Sequence, residues 1–181
     1  MNKKSKPGFT LVDLLVAIAI FVILTSLTIA NFVTGKRRDA LRQSGIVLTS
    51  LLQEAQTAAL SGMTINSLTP TGGYGIHFDQ NLPKQVIYFA DMNGNQIYDQ
   101  ATDLMVAGQA ENLADDVIIA SLKVGEDNLS LADFVFKAPE GNRYLNGLLN
   151  GGRLEINLLH QKTNQTVRVS ASTSSGQITT N

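Results

Sequence analysis

An apolar run near the N-terminus reads FTLVDLLVAIAIFVILTSLTIANFV over residues 9–33 and decides the expected fold. Asp13 is the one charged residue within it. As an α-helix with a rise of about 1.5 Å per residue, a run of about 25 residues is about 37 Å long, whereas the hydrocarbon core of a bilayer is about 30 Å thick. The run therefore predicts a transmembrane helix over residues 9–33.

Basic residues flank this run on both sides. Three lysines lie in the leader, Met1–Gly8, and Lys36, Arg37 and Arg38 follow the run. Because the two flanks are nearly balanced, the positive-inside rule does not fix the orientation. The very short leader favours a cytoplasmic N-terminus, with the rest of the chain outside the cytoplasm.

The helical pattern continues beyond the apolar run, over residues 34–60. Apolar or small residues recur there at alternating spacings of four and three, which places them on one face of a helix. The predicted stripe consists of Leu41, Gly45, Leu48, Leu52, Ala55 and Ala59. This face is expected to pack on a soluble domain.

Residues 61–181 have a different composition, in which short β-branched and aromatic runs alternate with Gly, Asn, Thr and Ser. This composition is typical of strands joined by turns. The predicted strands are Tyr74–Phe78, Gln85–Ala90, Asp116–Val124, Asp133–Lys137, Gly152–Leu159 and Thr166–Ser172. We therefore expect an α+β fold, in which a long N-terminal transmembrane and amphipathic helix packs against an antiparallel β-sheet domain.

Charge and cysteine content exclude several classes of function. The formal net charge is −1, which argues against a general positive field for binding nucleic acid. The chain contains no cysteine, so disulfides, thiolate metal sites and cysteine nucleophiles are excluded.

Residues 6–18 read KPGFTLVDLLVAI and resemble the prepilin signature of type IV pilins and type II secretion pseudopilins. The resemblance implies that a prepilin peptidase cleaves after Gly8 and methylates the new N-terminal Phe9. It also implies a pilin-like fold and retention of the apolar segment after cleavage. The family's role would make this chain a minor pilin or pseudopilin rather than an enzyme.

The same resemblance implies partners and a location. The partners would be prepilin peptidase, other pilin or pseudopilin subunits, membrane lipid and an inner-membrane assembly platform. The chain would sit in the inner membrane as a single-pass protein with its C-terminal domain periplasmic or extracytoplasmic, and would then join a pilus or pseudopilus. The residues expected to mediate assembly are Leu11, Asp13, Leu14, Leu15, Ile18 and Phe21.

Asp13 occupies the fifth position after the expected cleavage site, where the family normally has Glu. A carboxylate inside a membrane helix costs about 2.5 to 3.5 kcal/mol on insertion scales, so it usually has a partner. The free α-amine of a neighbouring subunit is the partner that we expect. Asp is shorter than Glu, which changes the reach of that contact.

The C-terminal half is similar to the GspH/FimT group of minor pilins and pseudopilins, notably at Gly152–Leu154, Val167–Ser170 and Ser175–Ile178. Some members of this group bind DNA through a basic motif near the C-terminus. The matching stretch here, Gly176–Thr179, lacks both arginines. DNA uptake is therefore not supported by the motif, although a DNA- or ligand-binding subunit at a filament tip stays open as an alternative.

Other interpretations of the N-terminus also stay open. Thr28-Ile29-Ala30 offers small residues for an ordinary signal peptidase, which would release a secreted chain beginning at Asn31. An uncleaved anchor would hold a secreted domain at the membrane with no role in a filament. Against a signal peptide stand Pro7-Gly8 ahead of the run and the length of the run itself.

One loop carries a candidate metal site, although no cofactor is required by the main interpretation. Oxygen-bearing side chains alternate from Asp91, as in a calcium-binding loop. Gln96 and Thr102 depart from that pattern. The candidate calcium ligands are Asp91, Asn93, Asn95, Asp99 and Asp103, and a solvated hairpin loop is the alternative.

The remaining polar residues show no catalytic motif. His77 and His160 lie in different predicted strands, with no cysteine to complete a zinc site. Arg153, Lys162 and Arg168 could form a small basic patch, or they could be the solvated face of a sheet.

Overall fold

The structure, a computed structural model, describes residues 10–106, 108, 110–139 and 141–181. Side chains 27–34 within the first helix are also outside the described part. The expected leader, including Gly8, and the methylated Phe9 therefore lie outside the described residues, as do the side chains of Thr28-Ile29-Ala30.

Helix α1 spans Leu11–Ser61. The chain divides into two compact units, of which the first ends at Arg38 and the second is Asp39–Asn181, so α1 contributes to both. Gly62, which has a φ of +64°, follows the last helical residue. A glycine in the left-handed region directly after a helix is a common stop signal, because it adopts this conformation without a Cβ penalty.

Sheet A is antiparallel and contains seven strands of the second unit. Its spatial order is β3-β2-β1-β7-β8-β9, and β4 pairs with β2. The strands are β1 (Gly73–Asp79), β2 (Gln85–Asp91), β3 (Leu104–Met105), β4 (Glu111–Asn112), β7 (Leu131–Lys137), β8 (Asn142–Leu145) and β9 (Leu148–Leu149).

Sheet B is antiparallel and contains the other five strands, in the order β12-β11-β10-β5-β6. The chain crosses between the sheets at residues 113–116, at Ser130 and at residues 150–152. The strands are β5 (Val117–Val124), β6 (Asp127–Leu129), β10 (Arg153–His160), β11 (Gln165–Ser172) and β12 (Ile178–Thr180).

One hydrophobic cluster joins the second part of α1 to both sheets. Leu48 and Leu52 of α1, Ile76 and Phe134 of sheet A, and Ile156 of sheet B are all fully buried in it. The predicted helical stripe is confirmed, since all six of its residues are buried. The helix lies so close to sheet B that a Cβ on Gly45 would be 3.1 Å from Cγ1 of Val167.

The predicted fold class is wrong. We expected a long transmembrane and amphipathic helix packed against an antiparallel sheet domain, as in pilins. The described chain is instead mostly antiparallel β-structure, with twelve strands in two sheets. Segments such as Glu111–Asn112 and Asp127–Leu129 become strands through backbone pairing with a neighbour, which their side-chain pattern does not mark.

No helix in the described part of the chain combines the length and the apolar composition needed to cross a lipid bilayer.

Candidate functional site

Thr10 and Asp13 form a reciprocal cap at the start of α1. The Thr10 backbone N–H donates to Oδ2 of Asp13 at 3.1 Å, and the Asp13 N–H donates to Oγ1 of Thr10 at 3.2 Å. The Thr10 hydroxyl also donates to Oδ2 of Asp13, at 2.7 Å. This is the geometry of a capping box, in which two otherwise unpaired N–H groups at a helix start are satisfied. The Asp13 carboxylate therefore has a partner within its own chain, and its expected contact with a neighbouring α-amine stays a prediction.

The first turns of α1 expose a continuous apolar surface. Leu11 is 80% exposed and Phe21 is 69% exposed. The large apolar side chains that are exposed between residues 11 and 24 are Leu11, Val12, Leu14, Leu15, Val16, Ile18, Ile20, Phe21, Val22, Ile23 and Leu24. They include all the apolar residues expected to mediate assembly. A surface of this kind usually marks a site that a partner or a membrane covers.

Two hydroxyl groups extend this surface without adding unpaired donors. The Thr25 hydroxyl donates to the Phe21 carbonyl at 2.7 Å, and the Ser26 hydroxyl donates to the Ile23 carbonyl at 2.8 Å. Hydroxyls bonded back to the preceding turn are already satisfied by their own helix. This segment can therefore enter an apolar environment without burying a free hydroxyl donor.

The acidic loop after β2, residues 91–103, is held together by its own carboxylates. The Asp91 carboxylate is fully buried and accepts N–H groups of Gly94 at 2.6 Å and Gln96 at 2.7 Å. The Asp103 carboxylate accepts N–H groups of Met92 at 3.0 Å and Asp99 at 2.8 Å. Burial raises the pKa of Asp103 above its ordinary value, although these two N–H donors act in the opposite direction. The loop is thus an ordered structural element.

The other candidate calcium ligands also turn toward the loop backbone. Oδ1 of Asn93, Asn95 and Asp99 accept the N–H groups of residues 95, 97 and 101, respectively. Within the described residues, no three or more His, Cys, Asp or Glu side chains are grouped to hold a metal ion. This arrangement does not fit a calcium site, because its carboxylates are already directed at backbone donors.

His77 has a partner that the sequence did not reveal. Its Nδ1 lies 2.7 Å from Oδ1 of Asp133, and the two residues are opposite each other in β1 and β7. The Tyr98 ring, from the acidic loop, covers the His77 ring at a centroid distance of 4.9 Å. His160 is buried at the end of β10, in the other sheet. The two histidines therefore do not converge on a common site.

The three candidate cations of sheet B do not form a basic patch. Nζ of Lys162 lies 2.6 Å from Oδ2 of Asp116. Nη1 of Arg168 lies 3.4 Å from Oε2 of Glu155. Two of the three positive charges are thus neutralised by neighbouring acids, which leaves Arg153 as the remaining one. A nucleic-acid interface would need several unpaired cations, so the geometry gives no support to DNA binding.

The Lys162 contact makes a testable difference to Asp116. The hydrogen bond from Lys162 lowers the pKa of Asp116 below its ordinary value, and the positive charge acts in the same direction. Its contribution to stability is therefore present above the ordinary pKa of Asp and is lost as the pH falls through the lowered value. We expect Lys162→Met to raise the Asp116 pKa, measured by NMR titration of its carboxyl carbon. Lys123→Met is the control, and an unchanged Asp116 pKa in Lys162→Met would contradict the contact.

Two features thus stand out in the described part of the chain, the exposed apolar surface at the start of α1 and the ordered acidic loop on sheet A. Sequence reasoning found the residues of both, but it missed the His77–Asp133 pair, because cross-strand pairing depends on register. The chain matches no known protein family, no curated protein and no solved structure.

Proposed function

We propose that this chain is a minor pilin or pseudopilin subunit of a type IV pilus or a type II secretion-like filament. A prepilin peptidase cleaves it between Gly8 and Phe9 and methylates Phe9. The processed subunit then joins the filament through the apolar residues at the start of α1. The proposal is for a structural protein and includes no catalytic step.

The exposed apolar surface of residues 11–24 is the observation that carries this proposal. It directly follows the residues that resemble a prepilin cleavage site, so processing would place it at the new N-terminus. Transfer from lipid to a bundle of neighbouring helices removes little apolar area from water, and the gain comes from close packing between side chains. Leu11, Leu14 and Ile18 lie on the same side of the helix at spacings of three and four residues, which suits such packing.

The cap at Thr10 supports a second step of the proposal. A carboxylate among apolar residues is costly unless it is bonded, and Asp13 is bonded to Thr10. Asp13 can therefore enter a helix bundle with its hydrogen bonds intact. The negative charge also lies in the first turn of α1, where the helix dipole favours it by about 0.3 to 1 kcal/mol.

The proposal also assigns partners and a route. The precursor is held at the inner membrane, with the domain of residues 39–181 on the extracytoplasmic side. It meets prepilin peptidase, membrane lipid, an assembly platform and other subunits there. Head-to-tail contacts between subunits produce open filaments. DNA has no place in this proposal, because Lys162 and Arg168 are paired with acids.

Processing supplies the direct test. The chain would be expressed in cells with and without a prepilin peptidase, and its intact mass and N-terminal sequence would be measured. We expect methylated Phe9 at the N-terminus only when the peptidase is present. Gly8→Leu should block cleavage, whereas the control Ser5→Ala should be processed normally.

Two outcomes would contradict the proposal. An N-terminus at Asn31 would indicate ordinary secretion, with the apolar surface removed. An intact Met1 in the presence of an active peptidase would indicate an uncleaved anchor for a secreted domain.

A further inference from the structure

The sequence contains three Asn–Gly pairs, at residues 93–94, 146–147 and 150–151. Such a pair can deamidate in water without an enzyme. The glycine backbone nitrogen attacks the Asn side-chain carbon, a C–N bond forms, and ammonia leaves from a cyclic imide. Water then opens this ring to give aspartate or isoaspartate. Glycine favours the attack because it has no side chain to obstruct it.

The structure blocks this reaction at Asn93. The side-chain Oδ1 of Asn93 accepts the Asn95 N–H at 3.0 Å, and Nδ2 donates to the Thr102 hydroxyl at 2.9 Å. The attacking atom is also engaged, since the Gly94 N–H donates to the buried Asp91 carboxylate at 2.6 Å. Both reacting groups must therefore lose hydrogen bonds before they can meet.

Asn146 is held in a different way. Its Oδ1 accepts the Asp133 N–H at 2.7 Å, and its own N–H donates to the Asp133 carbonyl at 2.9 Å. Asn146 and Gly147 form the turn between β8 and β9, with φ values of +50° and +76°. Reorienting the side chain would leave the Asp133 N–H without its partner, although Asp133 is buried.

Asn150 differs from the other two in having neither restraint. Its side chain is exposed, and no described residue forms a hydrogen bond with its amide or with the Gly151 N–H. Its φ is +57°, in the left-handed region that favours glycine. Rotation toward the reactive geometry therefore breaks no hydrogen bond. We propose that Asn150 is a site of spontaneous deamidation in the folded protein, with water as the co-reactant, and that Asn93 and Asn146 are protected by the fold.

The position of Asn150 gives the reaction a structural consequence. Residues 150–152 carry the chain from β9 of sheet A to β10 of sheet B. Gly152 is fixed immediately afterwards, because its N–H donates to the Thr173 hydroxyl at 3.1 Å and its carbonyl accepts the Thr173 N–H at 3.0 Å. Isoaspartate adds one carbon to the main chain just before this anchor. The product also adds a negative charge to the crossover between the sheets.

Peptide mapping of the full-length folded protein tests the proposal. The protein would be incubated at 37 °C and mildly alkaline pH, then digested with trypsin. Trypsin releases YLNGLLNGGR, residues 144–153, which contains both Asn146 and Asn150, so fragment ions must locate the mass change. We expect Asn150 to react at least about tenfold faster than Asn146, because about one buried hydrogen bond must break at the latter.

The synthetic peptide YLNGLLNGGR is the matched control, since it has the same two pairs without the fold. Its two asparagines should react at similar rates. Asn150→Gln in the full-length protein should remove the fast phase and leave Asn93 and Asn146 intact. Equal rates at Asn146 and Asn150 in the folded protein, or a faster reaction at Asn93, would overturn the proposal.

Discussion

Gly73→Ala is expected to destabilise the domain by about 2–5 kcal/mol, a large part of the about 5–15 kcal/mol that stabilises a typical domain. Gly73 has a φ of +105°, which costs a residue with a Cβ about 1–2 kcal/mol. The added Cβ would also collide with the backbone carbonyl oxygen of Phe136, in the strand that pairs with β1. Relief of that collision requires β1 and β7 to separate, and forced shifts of this kind cost about 1–3 kcal/mol. Urea denaturation followed by circular dichroism would measure the loss.

Gly125→Ala is the matched control for this substitution. Gly125 also has a positive φ, +61°, but no other atom lies within 4 Å of the position that a Cβ would take. Its loss of stability should be limited to the backbone cost, about 1–2 kcal/mol. Equal destabilisation by the two variants would mean that the contact with Phe136 is relieved without cost, which would contradict the close pairing of β1 and β7.

Leu52→Ala should cost about 2–5 kcal/mol through the cavity that it leaves in the core. Leu52 is fully buried in the cluster that joins α1 to both sheets. Because the surrounding side chains belong to three different structural elements, they cannot all move inward to fill the space. The free energy of unfolding, measured in urea, would give the magnitude.

Leu60→Ala provides the comparison, since it makes the same change in the same helix. Leu60 is 58% exposed, and substitutions at exposed positions usually change stability by less than about 0.5 kcal/mol. The pair separates the effect of burial from the change in helix propensity, which is identical for both. Similar losses for the two variants would contradict the placement of the buried face of α1.

The elements with a clear hydrophobic period could be predicted from the sequence. The stripe from Leu41 to Ala59 is buried as expected, because apolar residues at spacings of three and four must face one side of a helix. All six predicted strands are confirmed, with bounds that differ by one or two residues. The β10 strand shows why, since Leu154, Ile156 and Leu158 alternate with exposed or half-buried residues.

The short strands and the polar contacts could not be predicted in this way. Leu148–Leu149 is a strand because it pairs with β8, and its two exposed leucines give no alternation to detect. The acidic loop resembled a calcium site in sequence, yet its carboxylates bind backbone N–H groups. Lys162 and Arg168 were expected to be either a patch or a solvated face, and their acidic neighbours Asp116 and Glu155 decided the matter.

By itself, the sequence determined the apolar N-terminal run, the prepilin-like residues and the positions of the main strands. These depend on the order and period of neighbouring residues, which the chain carries locally. Only the tertiary structure decided the partition into two sheets, the His77–Asp133 pair and the difference between Asn150 and the other two Asn–Gly pairs. Each of these depends on contacts between segments that are distant in sequence, and such contacts exist only once register and packing are fixed.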